Sequence, residues 1–344
     1  MRQSVWIYFL LFFVVVSLIG GSVLTTYTQF IEDGPLPEAK NIVIPKGKSL
    51  KQIARLLKKE GVIDSPAIFE LGVRASGNTL KIKSGEYNFP RHVSAKLVMN
   101  ILTDGQTVAR RFVVPEGMTS KQIVDLMDKY LGLTGTVSDI PPEGSLLPET
   151  YNYSYGDTKE SLLRRMENKM TKTIQELWDK RDKNVPLKSM KEAIILASIV
   201  EKETARASER PHIAAVFFNR LKKKIRLQSD PTVIYALTNG QSDLKRSLTY
   251  ADLRVQHPYN TYVVYGLPLG PIANPGRAAL EAVLNPIESN NLYFVADGTG
   301  GHVFAETFDE HQKNVNRWRQ IKKKPAQKQN TTVTQPPAPV IVSE

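Results

Sequence analysis

Apolar and polar positions divide this chain into distinct textures. Residues 5–24, VWIYFLLFFVVVSLIGGSVL, form a 20-residue run without a charge. As a helix rising 1.5 Å per residue it spans about 30 Å, the thickness of a bilayer core. The next texture is short and periodic. Residues 41–59, NIVIPKGKSLKQIARLLKK, read as a strand, a Pro-x-Gly turn and an amphipathic helix with Ile53, Leu56 and Leu57 on one face. Residues 111–129, RFVVPEGMTSKQIVDLMDK, repeat that pattern at an offset of 70, with eight of nineteen positions identical, both turn residues among them. Ser49 and Thr119 stand where helix N-caps are expected. Between the copies, Gly85–Phe89 reads as a strand and 94–102 as a helix closed by Asp104-Gly105. From about 141 the pattern shifts to longer helices, at 158–181 and 188–204, and then to Gly- and Pro-rich loops. Beyond 321 the chain is polar, Pro-rich and aperiodic, and is expected to be disordered.

Composition then narrows the classes. The 344 residues are 41% hydrophobic, which excludes wholesale disorder. A mean hydropathy of −0.26 with one long apolar run excludes a multi-span membrane protein. The net charge of +12 suits an anionic partner: nucleic acid, phospholipid or a cell-wall polymer. Cysteine is absent, so disulfides, thiolate nucleophiles and Cys-ligated metals are excluded. Arg2 precedes the apolar run, and Glu32 and Asp33 follow it. The positive-inside rule places the N-terminus in the cytoplasm and the remainder outside. The rival to an uncleaved anchor is a signal peptide. Gly20-Gly21-Ser22 offers small residues for cleavage, but the run continues through Val23-Leu24 and no Ala-x-Ala follows. Export, with no helix-turn-helix, zinc-finger or RNA-binding aromatic motif, argues against nucleic acid as partner. No P-loop, dinucleotide fingerprint or HExxH is present, so no nucleotide, cofactor or metal is called for.

The most informative segment is 188–204, KSMKEAIILASIVEKET. Eight consecutive apolar or small residues, 193–200, predict a buried helix, and it runs straight into Glu201-Lys202-Glu203-Thr204. Glu203 lies on the stripe of Leu196 and Ile199, at the end of the apolar face. A carboxyl there is partly desolvated, which raises its pKa toward that of a general acid working near neutrality. An ordinary charged helix terminus is the simpler alternative. Glu201 and Glu203 point about 200° apart on a helix, so they cannot flank one glycosidic bond as a pair. Downstream, Asn219 closes a helix. Gln228, Asp230 and Thr232 follow it, and then Tyr259, Asn260, Thr261 and Tyr262. Amide, hydroxyl and aromatic groups on loops suit sugar recognition; turn chemistry accounts for the same residue types. His302 is open to two readings, a second proton carrier or a satisfied loop histidine. The basic run Arg220, Lys222, Lys223, Lys224 and Arg226 reads as a solvated face.

Taken in order, GSLLPETYNY, ASIVEKETARASER, FFNRL, RLQSDPTVIYAL, YNTYVVYGLPLGPIANPG and LYFVADGTGGHVF are similar to the YceG-like domain of the membrane-anchored endolytic murein transglycosylases. The first strand–turn–helix copy, with GVIDSPAIF after it, resembles that family's LysM-like part. The resemblance implies an α+β chain. Residues 1–30 would be the cytoplasmic tip and transmembrane anchor, 38–135 the LysM-like repeat region, 136–320 a mixed α+β catalytic domain with a lysozyme-like catalytic helix, and 321–344 a tail. It implies a lytic transglycosylase, single-pass in the inner membrane, that cuts the MurNAc–GlcNAc β-1,4 bond of nascent peptidoglycan on the extracytoplasmic side. The products are 1,6-anhydroMurNAc ends that terminate glycan growth beside peptidoglycan synthases and penicillin-binding proteins. The second Glu of Glu-Lys-Glu-Thr is the family's catalytic acid, which falls on Glu203. Glu201, Asn219, Gln228, Asp230, Thr232, Tyr259, Asn260, Thr261 and Tyr262 are the expected substrate-binding residues. Two alternatives stay open: a hydrolase of the same bond with Asp230 or Glu149 as second carboxylate, and a non-catalytic glycan-binding scaffold.

Overall fold

The structure, a computed structural model, describes residues 2–323. It is a mixed α+β chain that divides into two compact units between Lys169 and Met170. Most of the tail expected to be disordered lies outside the described residues.

The first unit begins with α1 (Arg2–Ile31), one unbroken helix. Its segment Phe9–Ile31 is long and apolar enough to cross a membrane. The helix does not stop where the apolar run ends. It continues until Phe30 enters a core with Leu36, Ile42, Ile44, Leu57, Phe69, Tyr87, Phe89 and Leu102. That core is built on β1 (Lys40–Ile44), α2 (Leu50–Lys59), α3 (Pro66–Ala75), β2 (Gly85–Phe89) and α4 (Ala95–Asp104). Strands β1 and β2 pair antiparallel with Ile42 opposite Tyr87. Period-2 alternation puts Ile42, Ile44, Tyr87 and Phe89 on the buried side. Pro66 sits at the first turn of α3, and left-handed Gly105 closes α4, the stop read from the chain.

The repeated segment takes the same local form twice. The second copy is β3 (Arg110–Val113) and α5 (Ser120–Met127). Gly47 and Gly117 have φ of 76° and 75°, a conformation open to glycine at little cost. Ser49 with Gln52, and Thr119 with Gln122, form matching capping boxes. Strand β3 pairs with β4 (Thr150–Tyr153), drawn from the GSLLPETYNY segment. Phe112, Ile123, Met127, Leu146, Leu162 and Met166 close a second core beneath this pair. Leu162 and Met166 belong to α6 (Lys159–Asp179), which continues across the division between the units.

The second unit is mainly helical. Helix α7 (Met190–Glu203) packs against α8 (Arg210–Lys222) and α10 (Arg277–Leu284). Its residues from Ile195 to Glu201 are all buried, as an apolar run without a polar face requires. Helix α9 (Asp230–Thr238), the hairpin β5 (Tyr293–Ala296) and β6 (His302–Ala305), and α11 (Phe308–Lys323) complete it.

The seating of Phe30 yields a test. Gly72 lies in α3, where alanine ordinarily stabilises a helix by about 1 kcal/mol over glycine. Here an added methyl would lie 2.3 Å from the Phe30 ring. Gly72→Ala should therefore destabilise, by about 1–3 kcal/mol. Denaturant unfolding of the detergent-solubilised chain checks the sign, and the added change Phe30→Leu should recover part of the loss.

Candidate active site

Ser189 caps α7 by accepting the Glu192 N–H at 3.2 Å, and the buried run carries the chain to Glu201 and Glu203. The two carboxylates then part, as helix geometry requires. Glu201 turns into the protein. It accepts from Arg210 Nη2 at 2.6 Å and from the Gly276 N–H at 2.9 Å. Both side chains of this ion pair are almost fully enclosed. Glu201 thus ties the end of α7 to α8 and to the start of α10. It is buried and does not line the cleft.

Glu203 lines a cleft of about 290 Å³ with Arg220, Gln228, Asp230, Tyr262, Phe294 and His311. The Ser229 hydroxyl donates to its Oε1. Burial pushes the Glu203 carboxyl up to about 7, and the negative charge of Asp230 adds to the rise. The Ser229 bond and the positive charge of Arg220 oppose it. A carboxyl so placed holds and releases a proton near neutrality.

Ser229 is held by a small network of buried hydroxyls. Its N–H donates to Thr261 Oγ1 at 2.9 Å, and Thr232 Oγ1 donates to the Ser229 carbonyl at 2.6 Å. The Thr232 and Thr261 hydroxyls meet at 2.8 Å. Gln228, at a φ of 53°, donates its N–H to the Thr261 carbonyl at 3.1 Å. Asn260 binds the Leu253 and Val255 carbonyls through Nδ2 and accepts the Tyr262 N–H at 2.9 Å. Thr232, Asn260 and Thr261 have no exposed surface. They shape the two loops and present no surface to the cleft. Asn219 likewise spends its amide on the Ser289 and Asn291 carbonyls, at 2.6 and 3.0 Å. Tyr259 packs on Tyr235 with ring centroids 4.8 Å apart and reaches over Gly270, whose missing side chain makes room for its hydroxyl. Of the nine expected contacts, Gln228, Asp230 and Tyr262 reach the cleft. The Tyr262 hydroxyl donates to Asp230 Oδ1 at 2.6 Å. Burial, and then that bond, raise its pKa, so it stays protonated.

Arg220 departs from the solvated face expected of the basic run. It is 8% exposed. Its Nε donates to the Leu292 carbonyl at 2.6 Å and its Nη1 to the Leu227 carbonyl at 2.9 Å. Its guanidinium lies over the Tyr293 ring at 5.2 Å. The signal was present in its neighbours: Phe217 and Phe218 mark α8 as a buried helix. Ser229, Phe294 and His311 were also missed. Ser229 reads as an N-cap ahead of Asp-Pro, and nothing in the exposed pattern of α11 sets His311 apart. His311 stacks on Tyr293 at 5.1 Å, and burial together with Arg220 keeps its pKa below the ordinary value. His302 opens strand β6 and is satisfied there. Its Nδ1 lies 2.7 Å from Glu209 Oε2, and its N–H donates to Oε1 of the same residue at 3.1 Å. Glu149 belongs to the first unit and pairs with Lys169 at 3.7 Å. Among the described residues no group of three or more acidic or histidine side chains is arranged to hold a metal ion.

Comparison with known proteins places these features. The model of the YceG-like family matches residues 42–317. The endolytic murein transglycosylase of Bacillus subtilis is 32% identical over 305 residues, covering 79% of this chain and 83% of that protein. The endolytic murein transglycosylase of Streptococcus pneumoniae serotype 2 is 29% identical over 342 residues, 83% of this chain; the match spans 61% of that relative's length. The crystal structure of a YceG-like protein from Listeria monocytogenes is similar with a TM-score of 0.52 and 31% identity, covering 80% of this chain and 98% of that one.

The raised carboxyl has a consequence for stability. From the ordinary value of about 4.5 up to about 7 the folded chain holds a proton on Glu203 that the unfolded chain has released. Stability from this group is therefore present at low pH and falls as pH rises through that window. Glu203→Gln does not titrate. It should be more stable than the parent above pH 7, by roughly 1–3 kcal/mol, with the gap closing toward pH 4.5. Denaturant unfolding of both proteins across that range measures it.

Proposed function

We propose that this chain, which belongs to the YceG-like family, is an endolytic murein transglycosylase that cleaves the MurNAc–GlcNAc β-1,4 bond within a glycan strand. The observation that carries the proposal is one carboxyl, Glu203, poised near neutrality in a cleft lined by Gln228, Asp230 and Tyr262. Glu203 starts protonated and delivers its proton to the departing glycosidic oxygen. An oxocarbenium-like centre develops at C1 of MurNAc. Asp230 and the carboxylate left on Glu203 supply negative charge beside it. Glu203 then takes the proton of the C6 hydroxyl, and that oxygen closes onto C1 to give the 1,6-anhydro ring. The attacking oxygen is already tethered, so its effective concentration far exceeds that of a loosely held water.

The supporting parts follow from this role. Helix α7 acts as the lysozyme-like catalytic helix, an apolar rod that presents an acid at its end. Gln228, Asp230 and Tyr262 touch the sugar; Glu201, Asn219, Thr232, Tyr259, Asn260 and Thr261 position the loops that carry them. Helix α1 anchors the chain in the inner membrane with its N-terminus inside, and the cleft works on the extracytoplasmic side on strands still attached to their synthases. The layer β1–α2–α3–β2 serves as the LysM-like region. One observation favours the hydrolase alternative: Asp230 shares the cleft. Its Oδ1 is engaged by the Tyr262 hydroxyl at 2.6 Å, which suits a charge-bearing neighbour better than a base for water.

Turnover on purified murein strands tests the assignment. Glu203→Gln keeps shape and hydrogen bonding but supplies no proton, and should lose about 10²–10⁴-fold. Glu201→Gln should lower the thermal midpoint through its buried ion pair while turnover per folded molecule falls far less. Because the first step needs the protonated acid, parent turnover should decline on the alkaline side through about pH 7. Measurable turnover undiminished in Glu203→Gln would move the acid to another residue, and absence of turnover in the parent and the variant alike would leave only the scaffold.

A further inference from the structure

Tyr262 borders two recesses. One is the Glu203 cleft, and the other is an open groove lined by Arg226, Tyr250, Leu253, Arg254, Gln256 and Val263. The groove carries two guanidinium groups and no carboxylate. The nearby acid, Asp252, is already neutralised, since Arg246 holds it through two bonds of 2.6 and 3.0 Å. Among the described residues, neither Arg226 nor Arg254 has an acidic side chain within ion-pairing distance, which sets them apart from the paired Arg110, Arg210, Arg246 and Arg277. Arg226 Nε is also buried without a hydrogen-bond partner. A buried donor left unmet is costly and marks a place where a ligand oxygen is gained cheaply. The guanidinium lies over the Tyr265 ring at 4.5 Å, a contact that steadies its fork of donors. Tyr250 and Tyr265 are 82% and 67% exposed, far beyond what packing asks of tyrosine.

We propose that this groove is a carboxylate-reading subsite, in which Arg226 and Arg254 bind acidic groups on the peptide stems of a murein strand while Tyr250 and Tyr265 pack against its sugars. The proposal rests on murein being the substrate. Tyr262 is the shared wall, so a strand with its scissile bond at Glu203 continues past Tyr262 into the groove. Stem peptides carry free carboxylates, and they flank every MurNAc of a nascent strand. Two arginines with no acidic partner of their own favour such strands over stripped or neutral glycan. Arginine suits the task because its charge is fixed and its donors match a carboxylate in pairs. The contacts are solvent-exposed at the Arg254 end, so binding weakens as salt rises.

Binding and turnover separate this subsite from the chemistry. In the Glu203→Gln background, affinity is measured for stem-bearing strands, for amidase-stripped strands that keep only the lactyl carboxylate, and for neutral chitooligosaccharides. Adding Arg226→Gln or Arg254→Gln should weaken stem-bearing strands about tenfold each, with little change for the other two ligands. In the active background the same changes should raise KM on stem-bearing strands and leave kcat in place. Arg254→Lys should recover part of the loss, and unchanged thermal midpoints would show that the fold is intact. Equal affinity for all three ligands in parent and variants would overturn the subsite. So would arginine dependence that persists undiminished on stripped strands, since the anion read would then be the lactyl group. If the parent binds stem-bearing strands through these arginines yet cleaves none, the subsite stands and the transglycosylase assignment falls.

Discussion

Charging Glu203 is opposed by the apolar packing at the end of α7, and most of the second unit serves to keep that carboxyl in place. Desolvation works only if the group cannot swing out to water. The helix is therefore buried from Ile195 to Glu201, and its last turn is clamped by the Glu201–Arg210 pair and the Gly276 N–H. The clamp and the acid are two residues apart, on opposite sides of one helix. One carboxylate is tied down by Arg210 and the Gly276 N–H, and the other is held where the proton is easily carried.

A second constraint is the backbone around Ser229. Its hydroxyl meets Glu203, so the turn that presents it must be stiff. Stiffness comes from Thr232, Thr261 and Asn260, whose polar groups are satisfied within the two loops. Arg220 performs the matching task on the other flank. It gathers the Leu227 and Leu292 carbonyls and adds a positive charge that restrains the rise of the Glu203 pKa. The acid is thus tuned between burial and Asp230 on one side, Ser229 and Arg220 on the other.

Much of this was legible in the chain because it rests on local rules. The apolar run before Glu201 predicted a buried helix, the 200° offset separated the two glutamates, and the repeated Pro-x-Gly turn with Ser49 and Thr119 predicted a pair of N-caps. What escaped was set by tertiary packing. Arg220 sits in a run of lysines that reads as solvent-facing, and only the fold turns it inward. Thr232, Asn260 and Thr261 have the chemistry of sugar ligands, and residue type cannot tell a hydroxyl that faces a ligand from one that faces a neighbouring loop. His311 comes to the cleft from α11, more than a hundred residues after Glu203. The seating of Phe30 in the first core also escaped, beyond Thr25, Thr26 and Thr28, polar residues whose hydroxyls bond back to helix carbonyls.

The central claim is that one acid serves both proton transfers while the substrate supplies its own nucleophile. Its most direct test is the mass of the new ends formed when purified strands are digested in ¹⁸O water. The products should be 1,6-anhydroMurNAc ends, lighter by one water than reducing ends and free of ¹⁸O. Reducing ends labelled with ¹⁸O as the main product would contradict it, and would make Asp230 the residue to examine as a base for water.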